Sequence, residues 1–258
     1  MAINDYFNQQ YFDLLLAMTE KEIKARYKNA VFGFLWMFLN PLFQMLIIGF
    51  IFQYVTKVSI PHYFVFLFAG LLPWNFFSYT VTKNTPLMVF ERSLLQKAKF
   101  PREILIFSMA LANIFHLVIS IILLLPVLLV IGKFQLLNLL LLPLALIWIM
   151  LVTVGFSLSL ATWNIRFRDV NFFVQALMPL WFYATPILYT LNLLPQKLHL
   201  WFYLNPLTGI IELFDWILLS GPITQMAGLL ISLGVSLIVI LIGIKVFIKE
   251  SPYFVDWL

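Results

Sequence analysis

Six stretches of the chain contain no Asp, Glu, Lys or Arg: 29–56, 58–82, 104–132, 134–165, 170–196 and 216–244. Each is at least 25 residues long, and about 20 apolar residues of helix suffice to cross the hydrocarbon of a bilayer. The chain is 63% hydrophobic with a mean hydropathy of +0.99, whereas a soluble domain is roughly 45–50% apolar. No aqueous core can absorb that excess, so the solvent is a bilayer. In lipid the backbone must satisfy its own hydrogen bonds. Long uninterrupted apolar runs therefore predict helices. The expected class is an all-α polytopic membrane protein with six transmembrane helices, forming one domain over 1–258.

The basic residues give the orientation. One side of such a topology receives Lys21, Lys24, Arg26, Lys28, the five basic residues of 83–102, Arg166, Arg168, Lys245 and Lys249; the other receives only Lys57, Lys133 and Lys197. The positive-inside rule makes the first side cytoplasmic, with both termini there and the protein in the cytoplasmic (inner) membrane. The N-terminal MAINDYFNQQ lacks the basic region, short apolar core and cleavage site of a secretory signal, so the first span is expected to direct insertion. The net charge of +5 is no sign of nucleic acid, because the cations sit at the ends of apolar runs. With no cysteine, disulfides, thiolate zinc sites and cysteine catalysis are excluded.

In order along the chain, 6–28 reads as a helix lying in the cytoplasmic interface, with Phe7, Tyr11, Leu14, Leu15 and Met18 on one face and charges following. A plain solvated lead-in is the alternative. Spans are expected at about 31–56, 62–82, 104–131, 139–163, 171–190 and 223–247. Asn40-Pro41 predicts a kink in the first, and Gly132-Lys133 a tight outer turn. Residues 191–222 are too polar and broken for a crossing and too apolar for an open loop. Pro195, Asn205-Pro206 and Gly221-Pro222 divide them into two short pieces, which predicts a re-entrant outer helical hairpin.

Lys83 to Glu103 stands apart, with seven charges in 21 residues of a chain that is 10% charged. Thr85-Pro86 has the form of an N-cap followed by proline at the first helical position. Leu87, Phe90, Leu94 and Leu95 recur at helical spacing with Glu91, Arg92 and Gln96 between them, and Phe100-Pro101 ends the element. A short amphipathic helix over 85–97, on the cytoplasmic side, is expected to touch a soluble partner.

Chemistry-bearing motifs are sparse. The phosphate-cradling GxxxxGK[ST] is absent, so this chain does not turn over nucleotide alone, and HExxH, GxSxG and EF-hand patterns are absent too. His62, His116 and His199 are scattered, and no metal-ligand cluster is expected. His116 falls inside the third span with Asn113 one turn before it. It is either a functional intramembrane ionisable group or a neutral histidine bonded to a neighbouring helix. Glu212 and Asp215, three apart near the outer surface, suit a structural or gating role better than acid–base catalysis. Arg166, Arg168 and Asp169 surround Phe167 in a tight inner loop, either as topology signal or as a pairing site for the interface helix or a partner. Trp36, Phe43, Phe50 and Tyr54 share one helical face running along the depth of the first span. Lipid contact explains such rings; an aromatic path for a CH-rich ligand is compatible with them.

An ordered set of motifs covers nearly the whole chain: Arg26-Tyr27-Lys28, Gly33-Phe34-Leu35-Trp36, Asn40-Pro41, Leu72-Pro73-Trp74 with Phe76-Phe77, Phe100-Pro101-Arg102-Glu103, Arg166-Phe167-Arg168-Asp169-Val170, Thr185-Pro186-Ile187 and Asn205-Pro206-Leu207-Thr208-Gly209. In this order they resemble type-2 ATP-binding-cassette exporter permeases, in the branch that exports O-antigen (lipopolysaccharide), capsule and teichoic-acid polymers. The resemblance implies a homodimeric permease without enzyme activity of its own, working with two copies of a separate ATPase subunit that binds ATP and Mg. It implies a lipid-linked polysaccharide as substrate, on a polyprenyl diphosphate. The 85–97 segment becomes the coupling helix, with Phe90, Glu91, Arg92, Leu94, Leu95 and Lys97 facing the ATPase, and 191–222 the outer gate, with Glu212 and Asp215. Spans one and five are expected to line the path between protomers, with Trp36, Phe43, Tyr54, Trp181 and Tyr183 assigned from their facing. The same permease fold exporting a small lipid or drug, and a membrane enzyme acting on lipid-linked glycans, are the competing classes. The latter needs clustered carboxylates that the sequence does not supply.

Overall fold

A computed structural model describes residues 9–27, 35–55, 60–133 and 135–257; the ends of the expected 6–28 helix and the entry to the first span at 28–34 lie outside them. The described residues are helices joined by short connections, with no strand among them. Helix α1 (Gln9–Tyr27) is followed by α2 (Trp36–Phe50), which carries Pro41 and widens into a π-helical turn over Ile51–Val55. Next come α3 (Tyr63–Phe90), α4 (Arg92–Lys97), α5 (Glu103–Val130), α6 (Leu136–Leu139), α7 (Leu142–Arg166) and α8 (Asp169–Ala184). The chain ends with α9 (Gln196–Phe202), α10 (Pro206–Leu219), α11 (Met226–Glu250) and α12 (Phe254–Trp257).

Five helical stretches among the described residues are long and apolar enough to cross a membrane: those of α2, α3, α5, α6–α7 and α11–α12. A sixth crossing is counted only if α9 and α10, bent by 106° at Tyr203–Asn205, are taken as one. The fifth expected span is shorter than predicted. Helix α8 has 16 residues, about 24 Å at 1.5 Å per residue. It stops because Thr185 precedes Pro186 and takes an extended conformation (ψ 136°), which proline favours in its predecessor.

Helix α3 is the hub. Its apolar window is 72% buried, against 11% for α2, and it packs on α2, α5, α7, α8 and α10. Its 28 residues extend about 42 Å, more than the roughly 30 Å of hydrocarbon. One end must therefore stand in the interface, and that end begins at Lys83. The other principal seam joins α7 to α11, where backbones meet: a Cβ on Gly243 would lie 2.3 Å from the Gly155 carbonyl oxygen. Small residues at such crossings are how membrane helices gain close packing.

Several local predictions hold. Gly132 takes φ +69° and Lys133 N–H donates to the Leu128 carbonyl at 2.9 Å, closing α5 in a tight turn. Asn205 caps α10, accepting from Leu207 N–H at 3.1 Å, with Pro206 at the first helical position. Thr85-Pro86 is a correction. Helix α3 runs through it, with both residues buried, and Thr85 donates backwards to the Val81 carbonyl at 2.8 Å. The break comes at Glu91 (φ −90°, ψ 22°), so the 85–97 segment is the end of α3 plus the six-residue α4.

Candidate functional site

The end of α3 and α4 form a platform with two sides. Leu95 is 4% exposed and sits with Met88, Leu105, Ile106 and Leu158 in a cluster built from α3, α4, α5 and α7; Leu94 is half-buried against it. Phe90 is 76% exposed, and Arg92 and Lys97 face outward. A leucine anchor fixes the segment while an aromatic ring and two cations are presented, which suits it to contact another protein. Glu91 is tied to α1 by Lys21 at 3.7 Å. Lys24 hydrogen-bonds Glu20 one turn before it and holds that carboxyl below its usual range.

The inner loop joins this platform. Arg166, Phe167, Arg168 and Asp169 are all exposed. Arg166 lies over the rings of Phe167 and Trp257, each at 5.5 Å, and Arg102 over Phe254 at 5.6 Å. The tail helix α12 thus docks on the basic ends of α5 and α7, with Phe254 fully buried. Arg166 stacks on Trp257 of the C-terminal tail, a contact that nothing in the sequence near 166 announces. Asn164 Oδ1 accepts from Asn171 N–H at 3.1 Å, satisfying one of the free donors at the start of α8.

The aromatic residues assigned to a path divide between surface and core. Phe43, Phe50 and Tyr54 are 49%, 59% and 61% exposed on one face of α2 and its π turn, with the Phe50 and Tyr54 rings 5.1 Å apart. Tyr183 is exposed on α8. Trp181 is packed between Phe77 and Phe156, at 5.2 Å from each, and donates to Asn205 Oδ1 at 3.1 Å, tying the end of α8 to the α9–α10 elbow. In the same elbow Glu212 is buried and receives Tyr203 O–H on one oxygen and Thr224 N–H on the other, both at 2.6 Å. Both oxygens serve as acceptors, so Glu212 fastens α10 to the chain entering α11. Asp215 Oδ1 is buried without a hydrogen-bond partner among the described residues.

Trp36 leads to a feature that sequence reasoning missed. With Asn40, Pro41 and Gln44 of α2, it forms one wall of a cavity of about 590 Å³; α3 and α5 form the others, and Arg26 enters from α1. The Arg26 guanidinium donates to His116 Nδ1 and to Asn113 Oδ1, the latter at 2.6 Å, and Asn113 donates onward to Thr80 Oγ1 at 2.8 Å. A guanidinium only donates, so His116 accepts through Nδ1 as a neutral imidazole. The histidine is thus bonded to a neighbouring helix, and that helix is α1. Arg26 also lies 4.6 Å over the Tyr79 ring, which Lys83 approaches at 5.7 Å. No group of three or more metal-ligating side chains occurs among the described residues. Arg26 drew attention only as one basic residue in a motif, because its partners lie 87 and 90 positions away.

Two O-antigen export system permease proteins named RfbA are similar to this chain from end to end. That of Myxococcus xanthus is 31% identical with 96% of each chain covered, and that of Klebsiella pneumoniae 33% identical with 99% of each covered. The polysialic acid transport protein KpsM of Escherichia coli is 24% identical over 90% of this chain and 91% of its own. Residues 13–219 match the family model described as ABC-2 type transporter, and with that match covering most of a helical, multiply membrane-spanning chain, the protein belongs to the ABC-2 type transporter family.

Proposed function

We propose that this chain is the membrane subunit of an ATP-driven exporter that moves a lipid-linked polysaccharide across the cytoplasmic membrane. The observation that carries the reading is the end-to-end similarity to O-antigen export permeases at 31–33% identity. Two copies of the chain work with two copies of a separate ATPase subunit, which binds ATP and Mg. The concentration of basic residues on one side supports placing both termini in the cytoplasm. The thinly buried α2 and the exposed Phe172, Phe173, Leu180 and Tyr183 of α8 suit these helices to face the second copy and the path between protomers.

This chain performs no bond chemistry. Closure of the ATPase subunits on ATP displaces the platform formed by the end of α3 and α4. Helix α3 is stiff and packs on α2, α5, α7, α8 and α10 besides α4, so displacement at its end moves packed helices as bodies rather than dissipating in a loop. Glu212 holds the elbow that closes the outer end, and Asp215 lies one turn further along α10.

The test is the ATPase activity of proteoliposomes containing this chain and its candidate ATPase, with and without lipid-linked polysaccharide. The glycan is expected to stimulate hydrolysis. Leu94→Pro, which removes the Leu94 N–H bond to the Glu91 carbonyl (3.0 Å), is expected to abolish stimulation and transport while insertion continues. Stimulation by small amphiphiles alone would replace the polysaccharide reading with export of a small lipid or drug. Full transport by a stably expressed Leu94→Pro chain would refute the coupling role.

A further inference from the structure

We propose that Arg26, which lines the cavity between α2, α3 and α5, and Lys83, which approaches the Tyr79 ring of the cavity wall, bind the phosphate-type dianion of a lipid-linked substrate. The assignment to the substrate rests on the export reading above; the anion site itself stands on the geometry.

The cavity, about 590 Å³, lies in the range of small-molecule sites. Its wall includes Asn40, Gln44, Asn75, Ser78, Thr82 and Ser120, which give the cavity a hydrogen-bonding lining. Gln44 and Asn75 are already bonded to each other at 3.0 Å, pinning α2 to α3 at this level. Two cations converge on one ring, Arg26 at 4.6 Å and Lys83 at 5.7 Å from the centre of Tyr79. Among the described residues neither makes an ion pair with a carboxylate within 4.0 Å; Glu20 and Glu91 pair with Lys24 and Lys21, and Glu22 stands one turn before Arg26 on α1 without an ion pair to it. Two like charges beside a low-dielectric cavity repel unless an anion lies between them. Arg26 is held by His116 and Asn113 through two of its five N–H donors, leaving the others for a ligand while its orientation is fixed. Arginine of fixed orientation suits phosphate oxygens, and lysine adds a mobile point charge. Because α2 is the least buried of the membrane helices and forms one wall, a headgroup whose chain remains in lipid can reach the cations beside it.

The experiment measures binding of a short-chain polyprenyl diphosphate, and of the corresponding polyprenyl alcohol, to the permease–ATPase complex in phosphatidylcholine nanodiscs. Arg26→Gln is expected to weaken diphosphate binding at least tenfold and Lys83→Gln at least threefold, with alcohol binding unchanged. Lys83 is exposed and lies outside α1, so its variant reports on the site even if Arg26→Gln loosens α1. Native affinity in both variants, or equal affinity for alcohol and diphosphate, overturns the site. Displacement of the probe by an equal concentration of phosphatidylglycerol overturns its assignment to substrate and makes it a membrane-phospholipid site. Glycan-stimulated ATPase of the unmodified complex is measured alongside. Its absence sinks the export reading while the diphosphate arm still decides the site, and its presence with variants that bind normally sinks the site alone.

Discussion

The crossing of α7 and α11 offers a quantitative test of how the bundle is held. A Cβ on Gly243 would stand 2.3 Å from the Gly155 carbonyl oxygen and 3.0 Å from its Cα; a Cβ on Gly155 would stand 2.8 Å from the Ile240 Cα. The obstacles are backbone atoms, so no rotamer change relieves them. A carbon–oxygen contact normally rests at about 3.3–3.6 Å, so Gly243→Ala forces the helices apart by about 1 Å. A gap of that size forfeits about a quarter to a half of each dispersion well along the seam, and overpacking of this kind costs about 1–3 kcal/mol. With backbone on both sides we expect about 3 kcal/mol, roughly a hundredfold in the folded-to-unfolded ratio. The same helix supplies the control: a Cβ on Gly234 meets nothing within 4 Å, so Gly234→Ala is expected to be neutral to within about 0.5 kcal/mol. The assay is unfolding of the purified chain in mixed micelles by titration with a denaturing detergent, with thermal unfolding as a check. At about 2–4 °C per kcal/mol for a chain near this size, Gly243→Ala should melt about 6–12 °C lower than Gly234→Ala. Coincident midpoints would refute close backbone packing as the source of this seam's stability.

Two further substitutions probe the elbow and the inner loop. Glu212→Gln turns one of two engaged acceptors into a donor facing Tyr203 O–H or Thr224 N–H; an expected loss of about 1–3 kcal/mol is read as a lower unfolding midpoint, and an unchanged midpoint would refute a fastening role. Asn164→Ala removes the acceptor for Asn171 N–H and is expected to cost about 1 kcal/mol, with faster hydrogen exchange confined to the first turn of α8. Uniform exchange rates across α8 would count against it.

Much of this architecture is local information. Whether a run can cross a bilayer depends on its own side chains, so the charge-free stretches that form most of α2, α3, α5, α7 and α11 are legible without tertiary structure. Gly132, Asn205-Pro206 and Phe100-Pro101 punctuate the backbone by conformational limits that act within a few residues. The platform at the end of α3 was half legible: its charges and leucine spacing mark it, but Thr85-Pro86 mimics a helix start that packing overrides. Both residues are buried inside α3, and the chain turns at Glu91. Helix α8 ends early at Thr185, where Asn205 donates to Thr185 Oγ1 at 2.9 Å from 20 residues away.

What only the tertiary structure decided are the meetings of distant residues. Arg26 with His116, Gly155 with Gly243, and Arg166 with Trp257 have no signature in their own neighbourhoods, because each residue type is ordinary where it stands. Partition into lipid and backbone conformation are set by a residue and its near neighbours, so sequence determines which segments are helices and which of them enter the membrane. Which helix faces which depends on how all of them pack at once, and the cavity beside Arg26 exists only after that packing is complete.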